Sequence, residues 1–292
     1  LNSALGQTYS NLEIVVSDNA SPDNTEQYVK SFNDPRIRYY KQDPALKPNE
    51  NFNFCLEQAQ GAYFLLFHDD DIIDEDFISS CLQAADYQTD FGIIRTGTRV
   101  IDDNGQVIKE QPNFNTGNQF SDLLKNWFTN KTMPYLCSTL FNTKLLKEIG
   151  GFGSKHDLFQ DVIAAWRLAA LAGWVDIQGM KASFRIHGTT RTKRSSTIGW
   201  REDSLELLDI VSREFSGADK EEIEDMGRRF MSVLNYRRAK DIPSLFERWS
   251  SYLAIYKDFG YRYAPWTHFL KPKRRKIKRN LVGVSKNNWL TK

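Results

Sequence analysis

Three consecutive aspartates, Asp69–Asp71, directly follow the apolar run Ala62–Phe67 and the single residue His68. Adjacent carboxylates repel one another unless a cation lies between them, and hard oxygen ligands suit Mg²⁺ or Mn²⁺. These cations usually keep several waters and bind substrate phosphates at the same time. The cluster is therefore a candidate site for a metal–diphosphate complex, while a solvated turn at a helix start would favour acids as well.

Single candidate side chains stand at other places along the chain. Asp18 ends the apolar run Leu12–Ser17, Asp161 opens a helical pattern after a glycine-marked loop, and His187 ends an alternating strand-like segment. Each also has a structural interpretation. Asp18 could close an Asx turn, Asp161 could cap its helix, and His187 could be an ordinary packed residue. The residue types alone leave these alternatives open.

Strand and helix patterns alternate in the first part of the chain. The predicted strands lie at 12–17, 37–41 and 62–67, and the predicted helices at about 23–32, 50–60 and 75–88. This order predicts βαβ units and a parallel sheet, in which ligands bind beyond the carboxyl ends of the strands. Asp18 and the Asp69–Asp71 cluster both fall at such ends.

Hairpin and helix signals dominate the remainder. The Asn104-Gly105 pair between strand-like runs predicts a hairpin within 91–109. Further strands are predicted at 136–141 and 182–187, and further helices at 143–149, 161–173, about 200–215, 220–240 and 243–257. Because helical patterns prevail after Trp200, we divide the chain into a sheet-containing domain at 1–198 and a helical extension at 199–292.

The composition is that of an ordinary globular protein. The 292 residues are 40% hydrophobic, and 39 Lys and Arg stand against 37 Asp and Glu, for a formal net charge of +2. This balance argues against a dedicated nucleic-acid binder, and three widely spaced cysteines argue against a disulfide framework or a zinc site. No apolar run reaches the roughly 18 residues that span a bilayer. Leu1–Leu5 is typical of the middle of a helix, so we expect a segment before it.

Four motifs together resemble those of the family-two glycosyltransferases. They are QTYSNLEIVVSDNASPDNT at 7–25, Asn53 with AYFLLFHDDD at 62–71, Gly150-Gly151-Phe152 with Gln160-Asp161, and Arg185-Ile186-His187. They stand in the order of the family and cover roughly the first two thirds of the chain. The resemblance implies an α/β fold of the GT-A type, a Rossmann-like mixed sheet flanked by helices, here with a helical carboxyl-terminal extension.

The resemblance also implies an activity and a donor site. Such proteins transfer a sugar from a nucleoside diphosphate, here most simply a UDP-sugar, to a saccharide or glycolipid hydroxyl with inversion at the anomeric carbon. Asp18 would contact the base of the donor nucleotide and Asp69 its ribose. Asn53 would hold a loop near the donor, and Lys47 would touch the nucleotide. The family's role in surface polysaccharide synthesis is the corresponding expectation here.

The metal site and the base follow from the same resemblance. Asp70 would be the principal ligand of Mg²⁺ or Mn²⁺, together with Asp71, and His187 would assist the metal or the diphosphate. Asp161 would be the general base. A direct displacement needs the acceptor hydroxyl deprotonated as it attacks, and a carboxylate within about 2.6–3.2 Å can do that.

This sequence departs from the family pattern at several positions. The family's first strand is absent, and Leu1 corresponds to the helix that follows it. His68 stands where many members have an acid, and Gln160 replaces the usual acid before the base. These changes leave the predicted ligands and base in place.

The basic run KPKRRKIKR at 271–279 indicates a possible partner. With Trp266 before it, this segment could bind anionic lipid headgroups through 266–279, or it could be a solvated terminus. A membrane partner would suit a lipid-linked saccharide acceptor and a cytoplasmic protein held at the inner face of the plasma membrane. Two other functions stay open, a sugar nucleotidylyltransferase and a non-catalytic protein that binds nucleotide sugars.

Overall fold

The computed structural model describes residues 1–187 and 196–266 of the chain. The strands are β1 Ile14–Asp18, β2 Ile37–Lys41, β3 Tyr63–Phe64, β4 Ile72–Ile73, β5 Ile93–Ile101, β6 Val107–Gln111, β7 Thr139–Asn142 and β8 Trp174–Arg185. The helices are α1 Asn2–Leu5, α2 Thr25–Ser31, α3 Pro48–Gln58, α4 Phe77–Ala84, α5 Phe120–Phe128, α6 Thr143–Glu148, α7 Gln160–Ala172, α8 Thr197–Ser212, α9 Gly217–Ala239 and α10 Leu245–Asp258.

The strands form two sheets. β1 and β2 pair in parallel, as the βαβ pattern predicts. The larger sheet has the order β3-β7-β5-β8-β4, with β6 paired to β5. Only β5 and β8 are parallel in this larger sheet of the described residues, so the prediction of a parallel sheet is wrong for most of it. One physical reason is the predicted hairpin, in which Gly105 at φ 79° returns β6 antiparallel to β5.

The predicted strand at 62–67 is mostly irregular. Only Tyr63 and Phe64 pair as a strand, and they do so against β7. Phe64 and Leu66 are buried in one hydrophobic cluster, while Leu65 and Phe67 pack partly buried against a second cluster. The segment thus lies between two cores, which accounts for its continuous apolar sequence.

Two other predicted strands have shifted bounds. The segment predicted at 136–141 begins with a 3-10 turn at Leu136–Ser138 and becomes β7 only at Thr139. The strand predicted at 182–187 is the last part of the longer β8. β8 pairs with β5 along most of its length, and on its other side Ala182 and Ser183 pair with β4.

The hydrophobic core runs from the larger sheet into the helical extension. One buried cluster contains Ile93 of β5, Trp166 of α7 and Phe230 of α9. The Trp127 ring of α5 lies 5.4 Å from the Trp166 ring and 5.2 Å from the Phe230 ring, centroid to centroid. The helices that follow the sheet therefore pack on it, and the domain boundary at residue 198 stays a prediction.

Every helix in the described parts of the chain is too short or too polar to cross a membrane. The basic run at 271–279 lies outside those parts.

Candidate active site

The acidic turn Asp69–Asp71 lies beside the end of β8, because β4 pairs antiparallel with the carboxyl-terminal part of that strand. Asp71 Oδ1 accepts a hydrogen bond from the Arg185 backbone N–H at 3.0 Å. The Asp70 carbonyl accepts one from Arg185 Nε at 2.9 Å, and Asp70 Oδ2 lies 2.9 Å from His187 Nε2. The end of β8 thus holds both carboxylates in fixed positions.

His68, Asp70 and Asp71 form a group whose possible ligand atoms all lie within 4.8 Å of one another. Carboxylates suit Mg²⁺ or Mn²⁺, and a neutral imidazole is a common metal ligand. These residues therefore fit a divalent cation. The sequence predicts Asp70, Asp71 and His187 as ligands, and the structure adds His68, for which the only sequence signal is its place directly before the aspartates.

Asp71 is the buried member of this group, with 1% of its side chain exposed. Burial raises the pKa of its carboxyl to about 6, and the charge of Asp70 adds to this effect. The hydrogen bond from Arg185, the charge of His68 and a hydrogen bond with the Cys137 thiol act in the opposite direction. A nearby cation would offset the unfavourable free energy of ionising this buried carboxyl, because it favours the ionised form.

We expect Asp71→Asn to stabilise the chain in EDTA at pH 8. The folded-state pKa of about 6 exceeds the ordinary 3.8, so ionised Asp71 costs up to roughly 3 kcal/mol above pH 6. That cost is absent below pH 4, grows as the pH rises from about 4 to 6 and is complete above pH 6. Thermal unfolding of both proteins from pH 4 to pH 8 measures the difference. An Asp71→Asn variant that is less stable than wild type at pH 8 in EDTA contradicts the raised pKa of Asp71.

Asp18 lies at the end of β1 and is 4% exposed. Its Oδ1 accepts a hydrogen bond from the Ser21 N–H at 2.8 Å, and its Oδ2 accepts one from the Tyr39 hydroxyl at 2.5 Å. Burial alone would raise the pKa of Asp18, but these hydrogen bonds outweigh it and hold the pKa below its ordinary value. Asp18 is therefore a fixed carboxylate that closes an Asx turn, and its contact with a nucleotide stays a prediction.

Asn53 holds the Gly150-Gly151-Phe152 loop against α3. Its Nδ2 donates to the Phe152 carbonyl at 2.9 Å, and its Oδ1 accepts from the Phe152 N–H at 2.8 Å. A Cβ atom on Gly151 would lie 2.3 Å from Asn53 Oδ1, and Gly151 has φ 77°. Only glycine suits this close approach in the left-handed region. The loop before the predicted base is thus fastened to α3.

Two further predicted donor-site residues are exposed. Lys47 directly precedes α3, and its Nζ lies 3.6 Å from the Glu50 carboxylate. Asp69 is exposed in the acidic turn. The loop before Lys47 is fixed to the end of β1, since the Asn19 side chain both donates to and accepts from the Leu46 backbone.

Asp161 lies in the first turn of α7 and is partly exposed. Burial of its carboxyl raises the pKa above the ordinary 3.8, while the backbone N–H groups of Val162 and Asp161 and the charge of His68 act against the rise. The charge of His68 acts on the pKa of Asp161, so the predicted base interacts electrostatically with one residue of the candidate metal group. A carboxylate with a raised pKa is suited to accept a proton.

The first 150 residues of the chain match the family model described as glycosyl transferase family 2. That match covers residues 1–150, half of the chain. The chain belongs to glycosyl transferase family 2. Asp18, Asn53 and the His68–Asp71 turn all lie within the matched part, and Asp161 and His187 follow it.

Several curated relatives of this family 2 chain are glycosyltransferases by name. An uncharacterized glycosyltransferase of Rickettsia conorii is 29% identical over 209 residues, which are 67% of this chain and 33% of that protein. The GalNAc(5)-diNAcBac-PP-undecaprenol beta-1,3-glucosyltransferase of Campylobacter jejuni is 35% identical over 88 residues, or 29% of this chain and 28% of that one. The chain thus spans about a third of the length of these relatives.

Solved structures share the fold. TarS 1-349 of S. aureus in complex with UDP has a TM-score of 0.63 at 16% identity, over 88% of this chain and 74% of that one. The mannosyltransferase PcManGT of Pyrobaculum calidifontis in complex with GDP-Man and Mn²⁺ has a TM-score of 0.51 at 15% identity, over 88% and 76%. The family 2 chain therefore has the GT-A fold, followed by packed helices, as the sequence motifs predict.

Proposed function

We propose that the chain is an inverting, metal-dependent glycosyltransferase that moves a sugar from a nucleoside diphosphate to a saccharide or glycolipid hydroxyl. The observation that most strongly supports this proposal is the His68–Asp70–Asp71 group, whose possible ligand atoms all lie within 4.8 Å of one another, in a family 2 chain whose Asp161 carboxyl has a raised pKa. Direct displacement of a diphosphate needs two groups, a proton acceptor and a site for a divalent cation. Family membership favours sugar transfer over synthesis of the nucleotide sugar.

The reaction is a single displacement. Asp161 accepts the proton of the acceptor hydroxyl while the acceptor oxygen forms a bond to the anomeric carbon. The bond from that carbon to the diphosphate oxygen breaks, and the nucleoside diphosphate leaves with the electron pair. Because attack and departure occur on opposite faces of the sugar, the anomeric configuration inverts.

His68, Asp70 and Asp71 would hold the Mg²⁺ or Mn²⁺ ion, and His187 would orient Asp70. When bound, the cation acts as a Lewis acid that stabilises the negative charge on the departing diphosphate. Arg185 keeps Asp71 aimed at this position through its backbone N–H. The orientation of the Asp71 carboxylate is thus set by β8, and that of Asp70 by His187 just beyond it.

A UDP-sugar is the proposed donor, with Asp18 at the base, Asp69 at the ribose and Lys47 beside the nucleotide. The likeness to TarS, solved with UDP, supports this choice, and the likeness to PcManGT, solved with GDP-Man and Mn²⁺, makes a GDP-sugar the alternative. Asn53 acts indirectly, since it holds the loop at Phe152, which follows α6, against α3.

Release of nucleoside diphosphate tests the proposal. The chain is incubated with UDP-glucose, UDP-N-acetylglucosamine or GDP-mannose, with Mn²⁺ or EDTA, and with a panel of saccharide and glycolipid acceptors. We expect Mn²⁺-dependent release from one donor, stimulated by an acceptor, with inverted anomeric configuration in the product. A retained configuration contradicts the mechanism. Absence of release across the panel from a folded chain contradicts the function.

Lipid-linked acceptors and an anionic membrane surface are part of the proposal for the partners. Leu245, Phe246, Trp249 and Leu253 form an exposed apolar face of α10, with exposed fractions between 54% and 85%. Trp266 is 52% exposed, and the sequence then runs into the seven positive charges of 271–279. Apolar side chains next to a basic segment are typical of proteins that lie on anionic membranes. A site of action at the cytoplasmic face of the membrane follows from this proposal.

Deletion of residues 271–279 is expected to reduce binding to vesicles of anionic lipid at least tenfold, since each basic residue near such a surface contributes about 1 kcal/mol. Replacing Phe246 with Ser is expected to weaken binding to the same vesicles. Co-sedimentation measures both effects, and Ile108→Ser, on the exposed strand β6, is the matched control. Equal partitioning of the deletion variant and wild type contradicts membrane binding.

A further inference from the structure

The loop that leads into α7 is held by one buried carboxylate of the helical extension. Asp203 of α8 has no exposed surface. It accepts hydrogen bonds from the Ser154 hydroxyl at 2.6 Å, the His156 N–H at 2.8 Å and the Leu158 N–H at 2.9 Å. All described hydrogen-bond partners of Asp203 therefore belong to residues 154–158, a few positions before Asp161.

Other acidic residues of α8 fix the outer side of the same loop. Glu206 accepts a hydrogen bond from the Lys155 N–H at 2.8 Å. Glu202 contacts the Lys155 Nζ at 2.6 Å and the His156 Nε2 at 2.8 Å. Glu202 and Glu206 are one helical turn apart, with Asp203 beside Glu202, so the loop follows a single edge of α8.

Apolar packing continues this contact to the first turn of α7. The Phe159 ring, directly before α7, meets the Trp200 ring of α8 edge to face, with centroids 5.2 Å apart. The Arg238 guanidinium of α9 lies 3.5 Å from the centre of the Trp200 ring. A Cβ atom on Gly199 would lie 3.2 Å from Leu158, so α8 approaches the loop closely. The helix that holds Asp161 thus starts on a surface built by the extension.

We propose that Asp203 is a positioning residue, which sets the place of the general base by holding the loop at 154–158. This inference rests on the proposed function, in which Asp161 is that base. A charged acceptor forms strong hydrogen bonds with several donors at once, so it fixes the loop more firmly than a neutral side chain can. Displacement of a catalytic group by about 1 Å can lower the rate a hundredfold.

The principal variant is Asp203→Asn, which keeps the shape of the side chain. Its NH₂ group faces N–H and O–H donors, so at least one of them loses its acceptor. We expect kcat for the donor selected above to fall about a hundredfold, with the dissociation constant of the donor nucleotide within twofold of wild type. Hydrogen–deuterium exchange should show faster exchange confined to residues 152–162. The milder variant Ser154→Ala removes one hydrogen-bond donor. Its kcat and its exchange rates are expected to lie between those of wild type and Asp203→Asn.

Two control variants separate positioning from loss of charge or stability. Asp209→Asn removes an exposed carboxylate of α8 whose partner is Arg213. Ile255→Ala removes a buried side chain of α10, 1% exposed, and lowers stability away from the loop. Both are expected to keep kcat within twofold of wild type at a temperature well below unfolding. An equal loss of kcat in Ile255→Ala would overturn the proposal.

The proposal also fails if folded Asp203→Asn keeps both its turnover and its exchange pattern in residues 152–162. Failure of the proposed function gives a different result from failure of this inference. In that case wild type releases no nucleoside diphosphate, or Asp161→Asn is fully active. In that case the exchange experiment still decides whether Asp203 holds the loop. If hydrogen–deuterium exchange in Asp203→Asn is unchanged, the inference is overturned. If exchange is faster only in residues 152–162, Asp203 does hold the loop.

Discussion

Asp161→Asn is expected to lower kcat for sugar transfer by about 10²–10⁴-fold, the usual contribution of a general base. The amide cannot accept the acceptor proton, while its size and its place in the first turn of α7 are retained. Steady-state rates of nucleoside diphosphate release measure the loss. The dissociation constant of the nucleotide is expected to stay within twofold, because the residues proposed to shape the donor site, Asp18 and Asn53, lie on other elements.

The pH dependence of kcat gives an independent test of the same residue. Burial raises the pKa of Asp161 above 3.8, so activity should fall as the pH decreases through a value higher than that of an ordinary aspartate. The acidic limb should be missing from the residual activity of Asp161→Asn. A variant with near wild-type turnover, or one that keeps the acidic limb unchanged, contradicts the role of Asp161 as base.

Asp70→Ala is expected to abolish metal-dependent binding of the nucleotide. Asp70 belongs to the group with His68 and Asp71, and loss of one carboxylate removes both a ligand and a charge. At a nucleotide concentration one hundred times the dissociation constant, wild type should gain about 2.7 kcal/mol of stability in Mn²⁺. The variant should gain almost none. Isothermal titration of Mn²⁺ and of the nucleotide in Mn²⁺ measures the loss directly.

The control for this experiment is Asp219→Ala, an exposed aspartate in the first turn of α9. Like Asp70→Ala, this variant removes one negative charge, but far from Asp70 in the sequence. It is expected to bind the nucleotide and Mn²⁺ as wild type does. Unchanged affinity of Asp70→Ala in Mn²⁺ contradicts the ligand role. Equal losses in both variants would show that net charge, and not coordination, governs binding.

Local sequence patterns predict most elements that position the site. β2 occupies Ile37–Lys41 as predicted, and Gly105 forms the predicted hairpin turn. The acidic turn follows the apolar segment at 62–67, as predicted. Helical spacing also predicts α8, α9 and α10. These features depend on residues close in the sequence, where the hydrophobic periodicity and the types of turn-forming residues are informative.

Contacts between distant segments could not be predicted in this way. Asn53 and Phe152 are 99 positions apart, and Asp203 and His156 are 47 apart. Asp203 looks like an ordinary surface residue of a helix in the sequence, and only the family resemblance indicates that Asn53 holds a loop; neither partner is given by a local pattern. The order of the larger sheet is likewise set by pairings such as β4 with β8, which no local pattern encodes.

The most direct test of the account is a thermal-shift titration of the chain with UDP, GDP, dTDP and CMP, each in Mn²⁺ and in EDTA. The account predicts that one nucleoside diphosphate, most simply UDP, raises the unfolding temperature by several degrees in Mn²⁺ and not in EDTA. Asp70→Ala should abolish that shift, and Asp161→Asn should keep it. A folded wild-type chain with no metal-dependent shift for any of the nucleotides would contradict the account.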